Sequence, residues 1–193
     1  MKQRIVNEWW GTALPWRALS WHLPIAGVHG DDVAGIVVHE QGQYGWTVGD
    51  WVAGEGHERG YHFGLDIVGW LGDSGRSHPL DKRVVCCSPL RGVVDYVQPD
   101  EHDHLSVVIK HSSVRAARRR FSFFGDLEEV YVKKGQEVSA GSSLGRPCRL
   151  RGKHRFFHFG IGYEVALRGQ WRRFYINPAP SIDGQIEVRE TMP

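Results

Sequence analysis

The chain has 193 residues, 41% of them hydrophobic, which is enough for one well-buried core and a sizeable extension. Its 24 Lys and Arg are nearly matched by 22 Asp and Glu, and a formal charge of +2 excludes nucleic acid as the main partner, because no one-signed field is available to hold it. No segment approaches the roughly 18 apolar residues of a membrane span. Twenty-four Gly and nine Pro, spread without a period, suit short strands and tight turns, so the expected fold is mainly β. The three cysteines, Cys86, Cys87 and Cys148, give no disulfide framework and are read as reduced thiols.

In chain order, residues 1–55 carry Trp9, Trp10, Trp16, Trp21, Trp46 and Trp51 among glycines, with little periodicity. This stretch is expected to be an irregular N-terminal extension whose Trp side chains pack on the domain surface. Its start, MKQRIVNEWWGTALPWRALSW, lacks the apolar run of a signal peptide, so synthesis in the cytoplasm is the expectation. The domain proper is expected over 56–182, followed by a tail at 183–193. Within it, strands are predicted in 84–97, 105–111, 128–145 and 155–165, which are β-branched or aromatic and closed by Gly, Pro or Ser. Loops are predicted at 71–83 and 98–104, the second an acidic one whose His102 and His104 are expected in solvent, with a reach inward to the site as the alternative. The stretch 112–120 holds four arginines, suited to an acidic polymer or to a solvated charged face. No internal repeat is visible.

The sharpest local signal is His62-Phe63-Gly64-Leu65-Asp66. Gly64 with the β-branched Ile67 and Val68 argues for a strand, and four steps along a straight strand span about 13 Å. One ion with ligands at about 2.0–2.2 Å cannot bridge that distance, so His62 and Asp66 can share a metal only if the chain bends, and Gly64 is the residue able to bend it. In RFFHFGIGYEV, period-two alternation assigns Phe157, Phe159, Ile161, Tyr163 and Val165 to the core. Phe156, His158, Gly160, Gly162 and Glu164 then face the other way, with small glycines beside His158 leaving room for a metal and a substrate backbone. His154 lies on that same strand face, four steps away, and reaches the site only through a bulge.

From these residues the chain resembles the lysostaphin/LytM-type zinc metallopeptidases, which cut peptide cross-bridges in bacterial cell walls. The His-x-x-x-Asp motif is matched by His62 and Asp66. A strand of the sense V-x-[Ser/Ala]-x-x-x-Gly-x-Val is matched from Val85 through Ser88 and Gly92 to Val93 or Val94, and Val-x-Ile-x-His by Val107 to His111. A Val/Gly turn pattern is matched by Val132, Gly135, Val138, Gly141, Leu144 and Gly145, and a late Asn-Pro by Asn177 and Pro178. The order is kept over about residues 60 to 180. The resemblance implies a single domain of antiparallel sheets of the duplicated, half-barrel type, with Zn2+ held by His62, Asp66 and His158. It implies peptidoglycan as the substrate, and the lack of a signal peptide then suits a phage virion, lysin or injected effector as the setting.

Two positions depart from the family. Where it has aromatic-x-His-Leu, this chain reads Phe124-Gly125-Asp126-Leu127, and the first His of His-x-His is Phe156. Asp126 keeps the capacity to act as a general base, whereas Phe156 has neither donor nor acceptor. His154 and His111 are the further catalytic candidates, His111 matching a position beside the site. Two other readings stay open. One is a carrier or phosphotransfer domain, echoed in HFGLDIV and VKKGQEVSAGSSLG. The other is a non-catalytic relative that binds cell-wall peptide or a partner protein, or builds a phage or injection particle.

Overall fold

A computed structural model of the chain describes residues 22–26, 33–39, 64–99, 103–115, 118–149, 154–176, 178 and 186–189. The six tryptophans of the N-terminal extension, His62 and His102 lie outside the described residues. Among the described residues there are thirteen strands and no helix. They are β1 (Ile25–Ala26), β2 (Val33–His39), β3 (Leu65–Gly72), β4 (Ser77–Pro79), β5 (Val85–Cys87), β6 (Gly92–Pro99), β7 (Leu105–Arg115), β8 (Arg118–Val130), β9 (Glu137–Val138), β10 (Ser143–Arg149), β11 (Arg155–Leu167), β12 (Gln170–Ile176) and β13 (Ile186–Arg189).

The main path through the sheet runs β13-β2-β3-β11-β10-β8-β7-β6-β9. Pairing is antiparallel except between β13 and β2, which run parallel. Two strands from the stretch expected as an extension join the fold, since β1 pairs with β5 and β2 with β3. From the expected tail, β13 pairs with β2. The predicted loop 71–83 contains β4, whose His78 stacks on Trp70 with ring centroids 4.2 Å apart. Much of the arginine-rich stretch lies in the long β7–β8 hairpin, where Arg118 sits over the Tyr163 ring at 3.7 Å and Arg119 over Trp171 at 4.1 Å.

Strand β11 organises the rest. Its odd-numbered side chains, Phe157, Phe159, Ile161, Tyr163 and Val165, are all buried in the main core, as period-two alternation requires. There they meet Leu65 and Ile67 of β3, Val107 and Ile109 of β7, and Phe124 of β8, whose ring lies 5.2 Å from that of Phe159. The even-numbered residues form the opposite face. Along it, Gly160 pairs with Phe123 and Gly162 with both Phe121 and Tyr175, so the rings of Phe121 and Tyr175 meet edge-to-face at 5.0 Å over the glycine. Together with Val108 they make a second, smaller core. The space beside Gly162 is therefore filled by rings instead of standing open. Further along, Glu164 accepts from Arg173 Nε at 2.8 Å, and Lys110 lies 2.9 Å from Asp95, closing this end of the face with a buried charge network.

Candidate metal centre and its surroundings

Asp66 and His158 are brought together by strand register. In the β3–β11 ladder His158 stands opposite Asp66, flanked by Phe157 opposite Ile67 and Phe159 opposite Leu65. The flanking pairs point into the core, so the middle pair shares the other face. His158 Nδ1 lies 3.2 Å from Asp66 Oδ1, and the two side chains are 14% and 10% exposed. Two ligand atoms about 2.1 Å from one tetrahedral ion stand about 3.4 Å apart, so this spacing fits two neighbouring ligands of a zinc ion.

Gly64 is a bend immediately before β3. A Cβ built there would stand 2.3 Å from the Phe159 carbonyl oxygen and 2.5 Å from His158 Nε2. Only glycine lets the backbone pass this close to the imidazole. His62, the third expected ligand, is outside the described residues.

On the other side of β11, His158 pairs with Gly125, and a Cβ on Gly125 would lie 3.5 Å from His158 Cβ. The edge of Phe123 borders the imidazole, with ring centroids 5.6 Å apart. Asp126 follows Gly125 with φ +58°, a left-handed conformation for a non-glycine residue. The ladder of β8 with β7 shifts register around it, between Leu105 and Val107, and the ladder with β10 shifts two residues on, at Glu128. Its carboxylate Oδ1 lies 3.3 Å from Nδ1 of His104, the residue before β7. Sequence reasoning favoured a solvated loop for His104, with an inward reach as the alternative, and its side chain is only 31% exposed and joins this cluster.

The other expected residues are placed differently. His154 is exposed just before β11. Phe156 pairs with Cys148 of β10. His111 is buried on the core face, with Nδ1 3.0 Å from the Arg91 carbonyl and Nε2 3.0 Å from Ser122 Oγ. A carbonyl only accepts, so Nδ1 carries the proton and Nε2 accepts the Ser122 hydroxyl. Burial, with the Arg120 cation adding to it, pulls this imidazole down to about 4.

No protein-family model and no curated protein matches the chain. Among solved structures the chain is similar to a zinc-containing peptidase from Vibrio cholerae at 19% identity and a TM-score of 0.38, over 74% of this chain and 39% of that one. The chain thus spans well under half of that peptidase's length. It is also similar to a structure of the SpoIIQ-SpoIIIAH pore-forming complex, at 17% identity and a TM-score of 0.42, over 86% of this chain and 96% of that one. A third is a mutant catalytic domain of the prophage-encoded M23 protein EnpA from Enterococcus faecalis, at 18% identity and a TM-score of 0.38, over 74% of this chain and 95% of that one. M23-type peptidase domains are thus among the solved structures that this chain resembles in part. Among the described residues, no helix is long and apolar enough to cross a membrane, which says nothing about a β-barrel.

Proposed function

We propose that the chain is a zinc-binding relative of the lysostaphin/LytM-type metallopeptidases and hydrolyses peptide cross-bridges of peptidoglycan. The observation that supports this most is Asp66 standing opposite His158, with their ligand atoms 3.2 Å apart on the face turned from the core. His62, Asp66 and His158 would hold the ion, two imidazoles and a carboxylate being a zinc-type donor set that leaves a fourth position open. When bound, zinc supplies Lewis acidity toward a peptide carbonyl and toward water. Phe123, edge-on to His158, helps hold the imidazole in place. Asp126, one residue beyond the Gly125 that pairs with His158, takes the proton of the attacking water as general base. The proposed place of action is the cell wall, reached as a phage lysin, a virion component or an injected effector.

A second reading, a non-catalytic relative that binds cell-wall peptide or builds a particle with a partner protein, is favoured by one arrangement. Asp126 Oδ1 is turned to His104, and Phe156 brings no donor to the strand beside His158. Hydrolysis of purified peptidoglycan by zinc-loaded protein separates the two. The peptidase reading expects metal-dependent cleavage that Asp126→Ala abolishes while the zinc at Asp66 and His158 stays bound. If wild type does not cleave, Phe156→His combined with Asp126→His is expected to gain activity, about two orders of magnitude for each donor regained. No cleavage by either protein, folded and zinc-loaded, contradicts the peptidase reading.

A further inference from the structure

We propose that His104, Asp126 and Cys148 form a second metal site, for a thiophilic divalent ion such as zinc, next to the Asp66–His158 pair. One ligand atom from each of the three residues lies within 4.8 Å of the other two. The imidazole and carboxylate are already 3.3 Å apart, close to the roughly 3.4 Å edge of a tetrahedral zinc site. A zinc–sulfur distance of about 2.3 Å sets the edges to sulfur at about 3.6 Å, so the thiol needs to close by about 1 Å at most.

Three separate strands deliver these residues, and the irregularity of β8 is what lets them meet. His104 precedes β7, and Cys148 lies near the end of β10. Leu127 of β8 pairs with Pro147, which sets Cys148 beside Asp126, and the His104 imidazole reaches Asp126 across the shifted register of the β7 ladder, with Nδ1 3.3 Å from Oδ1. A regular strand would send Asp126 to one face in fixed alternation. The register shift against β7 at Gly125–Asp126 and the left-handed φ of +58° break that alternation, and the carboxylate meets the His104 imidazole.

The donor set decides the ligand class. A thiolate with an imidazole selects zinc or a similar soft ion over Mg2+ or Ca2+, which take oxygen ligands. Cys148 is 1% exposed, whereas the His104 and Asp126 side chains are 31% and 24% exposed. The sulfur is thus shielded while the other two ligands face solvent, which leaves an entry path and an open fourth position. Binding displaces the Cys148 thiol proton to solvent. An Asp126 held by this ion is not available as a base, so the base role belongs to the chain with this second site empty and loading it would block hydrolysis; the site itself does not depend on the peptidase reading.

Cobalt(II) titration of the metal-free full-length protein tests the site, because only a thiolate ligand gives a strong sulfur-to-cobalt charge-transfer absorption and the Asp66–His158 centre contains no sulfur. The expected result is such an absorption, with an intensity at saturation that corresponds to one thiolate-bound cobalt per chain. It should be lost in Cys148→Ser, appear with at least about tenfold weaker affinity in His104→Ala, and be retained in Cys87→Ser and Asp66→Asn. The part-exposed position of His104 keeps that variant informative if Cys148→Ser does not fold. No thiolate absorption in the folded wild type, a band that survives Cys148→Ser, or unchanged cobalt affinity in His104→Ala overturns the proposal.

Discussion

Two histidines flank strand β8 on opposite faces of the sheet, and their surroundings differ in kind. His111 is 5% exposed, and both ring nitrogens are committed, one to the Arg91 carbonyl and the other to Ser122. His158 sits at the rim of the other face with Asp66 opposite, a glycine before β3 that lets the backbone pass against its ring, and Gly125 on its far side. The comparison separates an imidazole buried and saturated as a building element from one set against a carboxylate across a strand ladder. Burial and saturation stabilise the first and leave it no free valence for chemistry. The second keeps a nitrogen and a carboxylate oxygen at the spacing of a coordination edge.

The comparison can be broken most sharply by truncating each residue. His111→Ala removes a buried ring and two hydrogen bonds and should cost about 3 kcal/mol of folding stability in denaturant unfolding. His158→Ala, in the metal-free protein, should cost about 1 kcal/mol or less. Equal losses at the two sites would erase the distinction drawn here.

A somewhat smaller effect is expected from pH. His111 stays neutral in the folded chain down to about 4, against an ordinary value of 6.5 in the unfolded chain. Between those values the unfolded state binds the extra proton, so stability present above about 6.5 is lost as the pH falls toward about 4. The loss should amount to about 2–3 kcal/mol by chemical unfolding at stepped pH. His111→Gln should flatten that slope, and an unchanged slope would mean that the buried histidine is not its source.

Much of this contrast was legible in the sequence. Alternation along RFFHFGIGYEV assigned Phe157 and Phe159 to the core and His158 to the other face, because a strand side chain has only two directions to take. The same count from Val107 through Ile109 puts His111 on the core side, a signal that family resemblance obscured by suggesting a place beside the site. The need for a bend at Gly64 followed from strand length and metal–ligand distance alone. Nothing in the sequence marked the meeting of His104, Asp126 and Cys148. It depends on the register shift against β7 and the left-handed φ at Asp126, and bulges leave no reliable trace in hydrophobic alternation. The filling of the face beyond Gly162 by Phe121 and Tyr175 was equally hidden, since it joins residues from three strands.

A subtler change sharpens the account without touching a ligand. Gly64→Ala places a methyl group within 2.5 Å of His158 Nε2, and the backbone or the ring must shift. Zinc affinity should fall by about tenfold, or about 1.4 kcal/mol, in competition with a chromophoric chelator. An unchanged affinity would show that the close passage of the chain at Gly64 has no part in shaping the metal centre.

The central claim is that Asp66 and His158 belong to a metal centre, and zinc content measured by elemental analysis in a His104→Ala background tests it most directly. That background weakens the second site, so the count reports the first. The account predicts about one tightly held zinc per chain, lost when Asp66→Asn or His158→Ala is added and kept when His111→Gln is added. A folded protein that takes up no zinc, or that holds it equally well without Asp66 or His158, would contradict it.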